Sequence, residues 1–190
     1  VRSGELDEDV LDRAVARILT LIAKAQNVLA QDALAGDFSC DMQAHHALAR
    51  RVAGEGAVLL KNEGQRLPLP ADADIALIGR FAKHPRYQGA GSSQIVPTRL
   101  DNLYDELATL VGEDRLTYAP GYTETGDTAD GDLIQDALAV AGNADGVVVC
   151  AGLTDLYEIE GVDRSHMKLP AGHDALIQRV AAAHDNVVVV

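Results

Sequence analysis

Asp74-Ile75-Ala76-Leu77-Ile78-Gly79 decides how this chain is read. Four consecutive apolar residues between an aspartate and a glycine are too few for a helix and show no polar alternation, so they predict a strand covered on both faces. Gly146-Val147-Val148-Val149-Cys150 and Asn186-Val187-Val188-Val189-Val190 repeat the pattern, and Leu116-Thr117-Tyr118 reads as a shorter strand. Residues 98–112, 129–142 and 170–184 read as the intervening helices. Strand and helix in alternation predict an α/β fold, with a mostly parallel sheet flanked by helices in a three-layer α/β/α sandwich.

Upstream the pattern changes. Residues 7–29 place Leu11, Ala14, Val15, Ile18, Ile22 and Leu29 at three- and four-residue steps, the stripe of an amphipathic helix, with Asp7 as its N-cap. A polar stretch, 35–39, separates it from a second helix at about 41–55, with Ala44, Ala47, Leu48 and Val52 inward. A short apolar stretch, 57–62, then runs into turns at Gly64, Pro68 and Pro70. The chain begins at Val1 without methionine, and nothing follows the valine run to cover its open end. We therefore expect a piece of a larger enzyme, its sandwich truncated at the C-terminal end.

Composition narrows the function. At 190 residues, 47% apolar and 24% charged, the chain has the make-up of a globular domain with an appendage. A formal net charge of −13 argues against nucleic acid and against an anionic membrane surface, because both need a basic footprint. No apolar run approaches the ~20 residues of a membrane span. Cys40 and Cys150 form no framework, and the six histidines follow no zinc pattern, so neither metal nor organic cofactor is expected. Cys150, at a strand end, reads as a packed thiol.

Two loops hold the remaining polar chemistry. Gly89-Ala90-Gly91-Ser92-Ser93 follows the first strand, but Gly89 stands ten positions after Gly79 and Pro97 precedes the next helix. A dinucleotide fingerprint needs its glycines in the turn leading straight into a helix, so a loop bordering a pocket, or a plain surface loop, is the better reading. Tyr157-Glu158-Ile159-Glu160-Gly161-Val162-Asp163-Arg164 leaves the carboxyl end of a strand, where ligands bind in α/β sheets. One reading is a solvated acidic loop with Arg164 pairing Asp163. The other is a carboxyl group held for proton transfer, its pKa raised by partial burial and by neighbouring Glu158, Asp155 and Asp163. There is no Gly-x-Ser-x-Gly elbow for a serine nucleophile.

The order of these motifs resembles glycoside hydrolase family 3, the family of many β-glucosidases and β-xylosidases. VLDRAVARIL (10–19) resembles the helix leaving that family's first barrel. HALARRVAGEGAVLLKNEGQRLPL (46–69) resembles the opening of its second domain. IALIGRFA (75–82), GAGSSQIVP (89–97) and EIEGVDRSHMKLP (158–170) follow in the family's order. The resemblance implies residues 1–36 as barrel end and linker helix, and 37–190 as an incomplete sandwich domain. It also implies a retaining exo-glycosidase acting at the non-reducing end of a β-linked oligosaccharide or an aryl or alkyl glucoside.

In that family a barrel aspartate is the nucleophile and a glutamate of the second domain is the general acid/base. Carried to this chain, the acid/base is Glu160, with Glu158 as runner-up. Gly91, Ser92 and Ser93 border the pocket, and Gly161, Asp163 and Arg164 support the acid. Gly161 is expected to free the backbone for close approach of the sugar. The glycine loop reads Gly-Ala-Gly where Gly-Gly-Gly is usual. The sandwich is expected to pack on its own barrel, and a homodimer is left open. The isolated chain, without a nucleophile, is expected to be inactive. A β-xylosidase, a non-catalytic carbohydrate-binding or scaffolding module, and a flavodoxin-like nucleotide binder are the alternatives. The absence of tryptophan argues against glycan binding by this chain alone. Alanine, aspartate and arginine usage suggests a GC-rich bacterial source; the sequence does not fix the compartment, with bacterial cytoplasmic favoured over periplasmic or secreted.

Overall fold

The computed structural model describes Val1, residues 3–34 and residues 39–190. The polar stretch at 35–38, and with it the domain boundary expected at 36/37, lies outside the described residues. The chain divides into two compact units, Val1–Ala57 and Val58–Val190.

The first unit is helical. α1 spans Glu8–Leu34, and Asp7 precedes it with Oδ1 accepting from the Asp9 N–H at 3.1 Å. α2 spans Met42–Gly56, capped by Asp41, whose carboxylate accepts from the Ala44 N–H at 2.9 Å. The inward face expected for α2 is instead exposed: Leu48 and Val52 are 48% and 56% accessible, and Ala44 and Ala47 are exposed too. An amphipathic stripe is buried only when a second surface covers it, and periodicity alone does not supply that surface.

The second unit is the α/β sandwich. β1 (Ile75–Ile78), α3 (Leu103–Val111), β2 (Leu116–Ala119), α4 (Gly131–Ala141), β3 (Gly146–Val149), α5 (Ala171–Ala183) and β4 (Val187–Val189) follow one another in the chain. The four strands are all parallel, in the order β2-β1-β3-β4, with Ile75 opposite both Leu116 and Gly146. Residues 98–102, expected as the start of the third helix, are not helical. Asn102 accepts from the Asp105 N–H at 2.9 Å and so sets the first turn at Leu103.

Alternation along the two central strands builds both faces. Ala76, Ile78, Val147 and Val149 pack with Ile134, Ala137, Leu176 and Val180 of α4 and α5. Ile75, Leu77, Val148 and Cys150 pack on the other face, against Leu103, Leu107 and Val111 of α3. Each large aliphatic side chain buried this way contributes roughly 1.5–3 kcal/mol, so the sheet is rigid enough to carry loops with little packing of their own. β4 departs from the fully buried strand expected of the valine run: Val187 and Val188 are half-buried and Val189 is 49% accessible, because only β3 pairs with it.

The strand order places the site. From β1 the chain crosses by α3 to β2 on one side, then returns by α4 to β3 on the other. The loops after β1 and β3 therefore diverge, which opens a crevice at the carboxyl ends of the two central strands. Beneath it Tyr122 joins the two strand exits, accepting from the Phe81 N–H at 3.1 Å and donating to the Cys150 carbonyl at 2.9 Å. Burial raises the Tyr122 phenol and lifts the Cys150 thiol to about 11, which leaves Cys150 a packed, protonated thiol.

His173 lies under the same crevice, fully buried, with its ring 3.8 Å from that of Tyr122. Its Nδ1 accepts from the Gly152 N–H at 3.3 Å, and burial lowers its pKa below the usual 6.5. A proton taken up by the unfolded chain below pH 6.5 is thus refused by the folded one. The stability from neutral His173 is complete above that pH and declines as pH falls through it. The urea midpoint of the chain is expected to drop between pH 7.5 and 5.5. A His173→Leu variant should lose that slope, and an equal slope in both proteins would assign it elsewhere.

Candidate active site

Two short segments meet over the switch point. The Ala90 N–H donates to the Glu158 carbonyl at 3.3 Å, and the Glu160 N–H donates to the Ala90 carbonyl at 3.2 Å, so Ala90 and Ile159 form a parallel bridge. The chain then turns back, with the Val162 N–H donating to the Ile159 carbonyl at 3.4 Å and Gly161 at φ +84°. A four-residue turn with positive φ at its third residue favours glycine there and puts the second residue, Glu160, at the tip. Gly161 thus has a local role in shaping the turn, apart from the sugar approach expected of it.

The glycine-serine loop receives the acid. The Ser92 N–H donates to Glu160 Oε2 at 3.0 Å, and the Ser92 hydroxyl donates to the same oxygen. Gly91 makes this approach feasible. It sits at φ +101°, and a Cβ there would lie 2.9 Å from the Glu160 Cβ. Ser93 lines the depression too, and its hydroxyl donates to the Gly89 carbonyl at 3.4 Å. The extra methyl of the Gly-Ala-Gly sequence belongs to Ala90, which is buried and lies in the lining of the depression.

Both donors on Glu160 favour its ionised form, and they hold the pKa below the usual 4.5. This corrects the raised value expected from a cluster of acids. Glu160 is exposed to water, so desolvation is weak, and the pair of hydrogen bonds outweighs it.

Glu158 is occupied differently. Arg86, in the loop after β1, has a side chain only 13% accessible and donates to Glu158 Oε2 at 2.8 Å and to the Glu158 carbonyl at 2.7 Å. It also donates to Asp155 Oδ1 at 2.8 Å and to the Leu153 carbonyl at 3.3 Å. One guanidinium thus fastens the acid loop to the loop of β1 through four contacts. Sequence reading missed Arg86, which stands 72 positions from Glu158 with no spacing rule to link them.

The Asp163–Arg164 ion pair expected from adjacency is not formed. Both residues line the depression around Glu160, and the Arg164 guanidinium lies 3.9 Å from the Met167 sulfur. Neighbouring side chains diverge along an extended loop, and an exposed pair offers about 1 kcal/mol at most to hold them together. Among the described residues no group of acids, histidines and cysteines could hold a metal ion, and no helix is long and apolar enough to cross a membrane.

Fold and site define an α/β sandwich domain that presents Glu160 in a serine-capped depression at its switch point. The chain belongs to glycosyl hydrolase family 3: residues 57–190 match the model described as the glycosyl hydrolase family 3 C-terminal domain. Over its whole length the chain is 48% identical to thermostable beta-glucosidase B of Acetivibrio thermocellus, of which it covers 25%. It is 38% identical to an exo-alpha-(1->6)-L-arabinopyranosidase of Bifidobacterium longum, covering all of this chain and 26% of that protein. The crystal structure of a GH3 beta-glucosidase from Bifidobacterium adolescentis superposes with a TM-score of 0.78 at 38% identity, over 99% of this chain and 27% of that one. The chain thus spans about a quarter of the length of the curated relatives it matches.

Proposed function

We propose that this chain is the acid/base-bearing part of a retaining, exo-acting β-glycosidase that removes terminal non-reducing β-D-glucosyl residues. The observation that supports the assignment is the different treatment of two nearby carboxylates. Glu158 is tied up in the Arg86 clamp, whereas Glu160 stands at the tip of a turn, facing an open depression with one oxygen unengaged by Ser92. A proton donor must reach the leaving oxygen, and a carboxylate paired at 2.8 Å with a largely covered arginine is poorly placed for that.

In this reading Glu160 protonates the departing aglycone oxygen and then takes a proton from the water that resolves the glycosyl-enzyme. The nucleophilic aspartate belongs to a barrel domain on which the sandwich packs, with residues 1–36 as the connection and 37–190 as the sandwich. Glucose is preferred over xylose because the relative that is 48% identical is named a beta-glucosidase.

The test is chemical rescue in the full-length enzyme. With azide, Glu160→Ala is expected to yield β-glucosyl azide and Glu158→Ala is not. Rescue of Glu158→Ala alone would transfer the role to that residue, and rescue of neither would place the acid outside this loop. The isolated 190-residue chain is expected to show no hydrolysis above background.

A further inference from the structure

The two hydrogen bonds from Ser92 fall on the same oxygen of Glu160. A carboxylate acting as acid and then base needs one oxygen for the travelling proton and gains from having the other held still. We infer that Ser92 is a positioning residue that anchors Oε2 of Glu160 and so reserves Oε1 as the oxygen that exchanges the proton. The inference rests on the acid/base role proposed for Glu160.

Three features of the site carry it. Ser92 offers its amide and its hydroxyl together, so the anchor fixes both position and direction. The Ala90 bridge holds the backbones of the two segments in register beneath the contact. Gly91, whose positive φ and missing Cβ keep the gap open, lets Ser92 come close enough to reach.

In the first step the Oε1 proton passes to the glycosidic oxygen as the bond from that oxygen to the sugar C1 breaks and the nucleophile bonds to C1. In the second, Oε1 takes a proton from water as the water oxygen bonds to C1 and the nucleophile leaves. Oε2 stays on Ser92 throughout. By stabilising the carboxylate, the anchor also favours the base form needed in the second step.

The charged and titratable groups around Glu160 are few. Tyr157, Glu158, Asp163 and Arg164 line the depression from its own loop, and the facing segment 89–93 contributes none. Glu158 is neutralised by Arg86, which Asp155 also contacts. The Ser92 hydroxyl is therefore the group whose removal should move the titration of Glu160.

The experiment measures kcat/KM against pH for the full-length enzyme and for Ser92→Ala, Ser92→Thr and Glu160→Gln, on cellobiose and on a 2,4-dinitrophenyl glucoside. Circular dichroism melts check that each variant folds. Ser92→Ala is expected to move the basic limb of the cellobiose profile to higher pH and to lower kcat about tenfold, with KM little changed. The activated substrate, which needs no proton in its first step, should keep its kcat/KM. Ser92→Thr, which keeps the hydroxyl, should restore the wild-type limb, and Glu160→Gln should abolish it. If Glu160→Gln abolishes the limb while Ser92→Ala leaves it in place, the anchoring role falls and the acid/base role stands. If Glu160→Gln keeps the limb, the acid/base role falls and the inference falls with it.

Discussion

Glu160→Ala in the full-length enzyme is expected to hydrolyse cellobiose roughly 10²–10⁴-fold more slowly than the wild type, the usual contribution of a positioned general acid. The departing glucose of cellobiose would leave as a sugar alkoxide unless protonated, so its first step bears the loss of the acid. A dinitrophenyl glucoside carries a stable leaving group and should form the glycosyl-enzyme at close to the wild-type rate. Its second step then lacks a base, so a burst of dinitrophenolate followed by slow turnover is expected, with azide removing the slow phase. Glu158→Ala should behave differently. It releases one arm of the Arg86 clamp but leaves the Asp155 and backbone contacts, and a loss within about tenfold on both substrates is expected. Stopped-flow traces on both variants check this. Equal slowing of the two substrates by Glu160→Ala, with no burst, would make its role structural.

Gly79→Ala is expected to destabilise the chain by about 3–5 kcal/mol, read as a lower urea midpoint at unchanged slope. Gly79 ends β1 at φ +118°, where an L side chain is strained, and its Cβ would lie 2.3 Å from the Cys150 carbonyl oxygen. That oxygen is fixed, because it accepts from Tyr122, while the Cys150 N–H is itself bonded to the Ile78 carbonyl at 2.7 Å. Relief requires separating β1 from β3, the central pair of the sheet. Gly161→Ala is the control. It also has positive φ, at +84°, but nothing lies within 4 Å of its added Cβ, so only the backbone cost of about 1 kcal/mol is expected. If the two variants lose the same amount, backbone conformation rather than the clash governs position 79.

The fold was legible because its central strands are buried on both faces and so read as short unbroken apolar runs. Ile75–Ile78 and Gly146–Val149 lie within the runs that sequence marked, and the parallel sandwich follows from the helices between them. The family was legible from five motifs in order. Where sequence reading failed, it assumed that a pattern supplies its own partner. The α2 stripe was expected to be inward and is exposed, and Arg164 was assigned to the neighbouring aspartate and lies against Met167. The two carboxylates of the acid loop are only two residues apart, and nothing local distinguishes a clamped Glu158 from an open Glu160.

By itself, then, the sequence determined what depends on neighbours in the chain: the strands, the helices, the turn glycine beside the acid and the glycine-serine loop. These obey local periodicity and backbone preference. Only the tertiary structure decided which groups the acid meets. Ser92 reaches Glu160 across 68 residues and Arg86 reaches Glu158 across 72. Those contacts exist because β1 and β3 are adjacent and parallel, so the loops that follow them leave from the same end of the sheet. Strand order is a property of the packed sheet, and no spacing along the chain encodes it.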